Sequence, residues 1–161
     1  MTGNNSAINK QYFIVVSLLT FIVPLAAFIT EHVVNNAILS FELFGKWFIF
    51  SAVGLRLFLA GIRQITKPGF TAREIFHIES AESWPVIREL GFANLCFGLV
   101  GIISLFRADW RIVGSFASGM YYALAGILHI SSKSMGANEK FALWTDLIIF
   151  VLLAIYFILS I

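Results

Sequence analysis

The chain has 161 residues, of which 59% are hydrophobic and 12% charged, with a formal net charge of +2 and a mean hydropathy of +0.88. A water-soluble domain of this size exposes too much surface to carry so apolar a composition, so an integral membrane protein is expected. The small net charge argues against nucleic acid as a partner, and the one cysteine, Cys96, can form neither an internal disulfide nor a dithiol redox pair.

Hydropathy predicts five transmembrane helices, at about residues 12–30, 47–65, 85–106, 110–130 and 141–161. Each is close to the ~20 residues that cross a hydrocarbon core. The first follows Lys10 and contains Pro24-Leu-Ala-Ala27. Its apolar run passes these small residues without a break, so it is read as a retained helix and not a cleaved signal. Glu31-His32 at its far end is expected to be solvated. The second starts at Trp47, carries Arg56 near mid-span and Arg63 near its end, and is stopped by Lys67-Pro68-Gly69. The connection 66–84 is the only long one. Its apolar residues Phe70, Ile75, Phe76 and Ile78 suggest a short interfacial helix. Ser83, just ahead of Trp84-Pro85, is a candidate cap for the third helix.

The third helix places Gly91, Asn94, Gly98 and Gly101 on one face, at spacings of three, four and three. After a polar hairpin at Arg107–Arg111, the fourth does the same with Ser115, Gly119, Tyr122, Gly126 and His129. Small residues let helix backbones approach closely in lipid, so these faces are expected to meet each other or neighbouring helices. The fifth helix carries Asp146. All four tryptophans lie at or near span starts, as an interfacial aromatic belt requires. The expected fold is an all-α polytopic bundle forming a single transmembrane domain, with helices two to five as the core and the first packed outside.

Lys10, Arg63, Lys67, Arg73, Arg88, Lys133 and Lys140 fall on one side of such a bundle, and only Lys46, Arg107 and Arg111 on the other. This bias predicts a cytoplasmic N-terminus and an external C-terminus, in a bacterial inner membrane. At ~1.5 Å per residue, Asn94 and Asp146 each lie about 7 Å inside their helices from that cytoplasmic end. Arg63, Glu89 and His129 share this half, with Arg56 just above. Intramembrane ionisable groups are costly, and they point either to mutually satisfied pairs, such as Arg56 with Asp146, or to a pocket. In the pocket reading, Glu89, His129 and Asp146 are the candidate catalytic residues, with Glu89 and Asp146 handling protons and one of them orienting His129. Asn94, Arg56, Arg63 and Tyr122 are the candidate ligand-binding residues.

Metal signatures are weak. Glu74-Ile-Phe-His77 is one Glu-x-x-His pair, whereas a di-iron bundle needs two such pairs and two further glutamates. Only His129 lies near a core face, so no bis-histidine haem is expected. No phosphate-binding loop, nucleophile elbow or zinc spacing occurs.

Glu89-Leu-Gly-Phe-Ala-Asn-Leu95, followed by Gly98 and Gly101, resembles the Glu-Val-Gly-Phe-Ala-Asn-Leu signature of a small membrane family of unknown function related to DoxX. Gly126-Ile-Leu-His129-Ile is similar to that family's Gly-x-x-His-Ile, and Trp144-Thr-Asp146 to its aspartate opening the last helix. The likeness covers about residues 47–155. Ile87-Arg88 stands where the family has Phe-Gln, and Gly136-Ala-Asn-Glu139 where it has Pro-Gly-Asn. The resemblance implies a DoxX-like four-helix core and, through DoxX itself, association with quinone-linked redox enzymes. The expected function is a membrane subunit with a cytoplasm-facing pocket for a quinone or small redox substrate. Transport or efflux of a small solute, and a structural role as protein partner or homo-oligomer in a membrane complex, are the alternatives.

Overall fold

The structure is a computed structural model and describes residues 7–132 and 135–161. Lys133, one of the basic residues counted above, lies outside the described residues. Five helices are long and apolar enough to cross a membrane: α1 (Lys10–Asn35), α2 (Phe41–Thr66), α3 (Ala81–Ile103), α4 (Asp109–Ile130) and α5 (Ala137–Ser160). Among the described residues there is no strand. Large apolar side chains such as Phe92, Val113, Phe116, Leu124 and Val151 are exposed along their outer faces, as contact with lipid requires.

Local chemistry sets the helix ends. Asn9 caps α1, its Oδ1 accepting from the Tyr12 N–H at 2.9 Å, and Ser40 caps α2 by accepting from the Leu43 N–H at 3.1 Å. α2 stops at Thr66 because Lys67 precedes a proline and leaves the helical region, at φ −136° and ψ 62°. α3 starts earlier than expected. Ser80, not Ser83, provides the cap, accepting from the Glu82 N–H at 3.3 Å. A 3-10 turn over Ala81–Ser83 then leads into the α-helical part at Trp84. α3 also ends at Ile103 rather than at Phe106, since the next residues form the turn that Arg111 closes by donating from Nε to the Ser104 carbonyl at 3.1 Å.

Two wide π turns interrupt the spans, at Leu18–Ile22 in α1 and Ile49–Leu55 in α2. In α1 the Val23 N–H bonds to the Leu18 carbonyl, and Pro24 has no N–H to offer. The Leu19 carbonyl is therefore left without a helical donor. Ser51 of α2 fills the gap, donating from Oγ at 2.6 Å. In α2 the Arg56 N–H turns to Ser51 and Val53, and Tyr122 of α4 donates its hydroxyl to the Ala52 carbonyl at 2.8 Å. Each irregularity in one helix is thus satisfied by a hydroxyl from its neighbour. Ser51→Ala should orphan the Leu19 carbonyl and lower stability by about 1–3 kcal/mol. Pro24→Ala, which restores an N–H, should recover part of that loss; unfolding of both variants in detergent checks it.

The tightest seam joins α2 to α3. A Cβ on Gly101 would fall onto the backbone of Gly54. One on Gly61 would lie 2.6 Å from the Gly91 carbonyl, and one on Gly98 2.5 Å from the Phe58 nitrogen. The small-residue face of α3 therefore packs against α2. That of α4 packs against α5, with Gly119 against Leu153 and Gly126 against Leu147. The two faces meet neighbouring helices and not each other. α1 lies against the π turn of α2. At the end opposite the 66–84 connection, Glu31 is held by Lys46 at 2.7 Å and by Trp47 Nε1 at 2.6 Å, so it fastens α1 to α2 instead of ending freely in solvent.

Candidate functional site

A cavity of about 620 Å³ opens between the helices in the half nearer the 66–84 connection. α1 contributes Tyr12, α2 Arg56 and Gln64, α3 Asn94, α4 Tyr121, Tyr122 and His129, and α5 Asp146. Phe70 and Phe76 of the connection close one side. Leu59, Leu124 and Leu128 also line it and are themselves exposed on the outer surface, so its rim reaches the lipid-facing side of the bundle.

Arg56 is the central charge. It follows the π turn of α2 and is 8% exposed, with Asp146 at 7%. Its Nη2 donates to Asp146 Oδ1 at 2.7 Å and to Thr145 Oγ1 at 3.0 Å. The guanidinium carbon lies 5.3 Å from the Tyr122 ring centre, where the aromatic quadrupole favours a cation. Pairing with Asp146 neutralises a charge that would otherwise be prohibitive at this depth. Across the cavity Asn94, 3% exposed, donates from Nδ2 to Gln64 Oε1 at 2.6 Å. Among the described residues, Arg56 Nη1 and Asn94 Oδ1, like Thr20 Oγ1 and Ser118 Oγ, are buried without a hydrogen-bond partner. Arg63 sits at the edge, its guanidinium carbon 3.7 Å from the centre of the Phe70 ring.

Six of the residues singled out from sequence, Arg56, Arg63, Asn94, Tyr122, His129 and Asp146, line this cavity. Glu89 does not. It is exposed, and no hydrogen bond or ion pair of Glu89 occurs among the described residues. The reason is rotational. Glu89 shares the depth of the cluster, but five residues at about 100° each carry it roughly 140° around α3 from Asn94. The partner of His129 also differs from expectation. Asp146 is taken by Arg56, and His129 Nδ1 lies 3.3 Å from Glu139 Oε1.

Glu139, in the first turn of α5, was not foreseen as a site residue. It is buried and stands where the helix dipole favours an anion. Its second oxygen, Oε2, lies 2.9 Å from Nε2 of His77, in the connection. The His77 backbone adopts a left-handed conformation, φ 56°, which is uncommon for a residue with a side chain and turns the ring toward α5. The neighbouring Asn138 donates to Glu74 Oε2 at 2.8 Å and accepts from the Asn9 N–H at 2.8 Å. Glu74-Ile-Phe-His77 thus anchors the connection onto α5 by hydrogen bonds. Among the described residues, no three His, Cys, Asp or Glu side chains are arranged to hold a metal ion.

The fold and cavity define a polytopic α-helical membrane protein with an internal polar site. The model of a family of unknown function, DUF6790, matches residues 10–160, and the chain belongs to that family. No curated protein and no solved structure matches it.

Proposed function

We propose that the protein is a membrane subunit that binds a quinone or a similar small amphipathic redox carrier. The observation that carries this reading is a cavity lined by Arg56, Asn94 and Asp146 together with aromatic side chains, with a rim of leucines that are exposed on the outer surface. A quinone carbonyl can accept from the Arg56 guanidinium, and the hydroxyl of the reduced form can donate to the Asn94 amide, once a small side-chain rotation turns these groups toward the cavity that they line. Tyr12, Phe70, Tyr121 and Tyr122 offer faces for a flat ring. The leucine rim lets an isoprenoid tail remain in the bilayer. In this reading Arg56 and Asn94 orient the head group, Asp146 keeps Arg56 charged and in place, and Arg63 guards the polar edge.

Kinship with DoxX-like proteins is part of the same proposal, supported by the Glu89–Leu95 signature and by Gly126 to His129. The excess of basic residues at the end bearing Lys10, Lys67, Arg73 and Lys140 supports a bacterial inner-membrane location with that end in the cytoplasm. A redox-enzyme partner would then supply or accept the electrons.

Calorimetric titration of the protein in nanodiscs with a short-chain ubiquinone tests the reading. Saturable binding is expected. Leu124→Trp, at the exposed rim, should weaken it about tenfold or more, which is ~1.4 kcal/mol, without changing thermal unfolding. An absence of saturable binding, or an unchanged Kd in the rim variant, would remove the proposal.

A further inference from the structure

We infer that His77, Glu139 and His129 form a proton relay from the aqueous face of the membrane into the cavity. The three side chains run from wet to dry. The His77 side chain is 35% exposed and that of Glu139 4%, and that of His129, which lines the cavity, is 8% exposed. One carboxylate touches both rings, Oε2 at 2.9 Å from His77 Nε2 and Oε1 at 3.3 Å from His129 Nδ1. A carboxylate bridging two imidazoles is chemically suited to accept a proton from one and donate it to the other.

The transfer balances with one proton. Hydronium at the aqueous face protonates His77 at Nδ1 and leaves water, and the Nε2 proton of His77 passes to Glu139 Oε2. Rotation of the carboxyl group exchanges its two oxygens and presents the proton to His129 Nδ1. His129 then releases the proton on its other ring nitrogen into the cavity. No electron moves and no bond other than those to hydrogen breaks. Gly136 gives the first ring its space, since a Cβ there would lie 3.1 Å from His77 Cε1. Among the described residues, the other charged groups near the path are already engaged or exposed. Glu74 accepts from Asn138, Asp146 is paired with Arg56, and Arg73 and Lys140 are exposed.

This inference deepens the proposed redox reading, because a quinone gains or loses protons with its electrons, but its test needs no quinone. The chain contains three histidines. The third, His32, bonds through Nδ1 to the Ala37 carbonyl at 2.7 Å, at the opposite end of the bundle, and serves as an internal control. Labelling histidine with nitrogen-15 and following the three rings by NMR reads the exchange of each ring proton directly. In the natural protein the His129 ring proton should exchange rapidly with solvent. Glu139→Gln, which removes the bridging carboxylate, should slow that exchange. His77→Gln keeps an N–H donor toward Glu139 but cannot carry a proton through, so His129 should remain folded in place and exchange on the order of 100-fold more slowly. A purely structural trio predicts no change of exchange rate in His77→Gln. Unchanged His129 exchange in either His77→Gln or Glu139→Gln overturns the relay, while loss of ubiquinone binding alone would leave it standing.

Discussion

Asp146→Ala is expected to lower stability by about 3–5 kcal/mol. The substitution removes the carboxylate 2.7 Å from Arg56 and leaves a guanidinium that is 8% exposed with the Thr145 hydroxyl and the Tyr122 ring but no countercharge. The loss reflects an uncompensated charge at membrane depth, not the intrinsic strength of the pair. The double variant Arg56→Met, Asp146→Leu should therefore match the natural protein or exceed its stability by up to about 4 kcal/mol. Unfolding in mixed micelles with rising sodium dodecyl sulfate, followed by circular dichroism, measures both. A double variant as unstable as Asp146→Ala alone would show that the pair stabilises by itself. Because the double variant also removes the guanidinium that lines the cavity, it should fold and yet fail to bind ubiquinone, which separates architecture from ligand recognition.

The second large effect is expected at the seam between α2 and α3. Gly101→Ala and Gly98→Ala each place a methyl group against backbone, of Gly54 and of Phe58 respectively. Backbone cannot rotate aside as the end of a flexible side chain can, so the helices must separate. A loss of about 1–3 kcal/mol is expected for each, in spite of alanine's better helix propensity. Gly119→Ala is the internal comparison. Its Cβ would meet Leu153 at 3.5 Å, an ordinary contact, so it should be neutral or slightly stabilising in the same titration. Equal losses in all three would mean that close backbone approach is not what binds α2 to α3.

The five spans were legible because hydropathy needs no partner to be read. The pairing of helices was legible only in part. The glycine spacing of α3 marked its buried face, but the partner is α2, whose Gly54 and Gly61 lie seven residues apart and come opposite Gly101 and Gly91. Short loops make sequential helices neighbours without choosing which faces they share. Depth alone grouped the polar residues, and depth ignores rotation, so Glu89 was included although its turn of α3 points outward. Glu139 was missed for another reason. Its partner His77 reaches it through a left-handed turn in the connection, a conformation that no local pattern announced. The one available signal was that Gly136-Ala-Asn-Glu139 departs from the sequence it otherwise resembles. Neither π turn within the spans is announced by the sequence pattern; Pro24, which lacks an N–H, accounts for the first only once the structure is seen.

The Asn138 side chain joins Asn9, ahead of the first helix, to the first turn of the last. A nascent chain must therefore wait through 129 further residues before that bond can close. Until the ribosome has delivered α5, the insertion intermediate lacks Asp146, Glu139 and the clasp on its own beginning, while Arg56 is already embedded. In that interval the guanidinium lacks the carboxylate that neutralises it, so biogenesis of this protein should be most vulnerable between insertion of its fourth helix and its fifth.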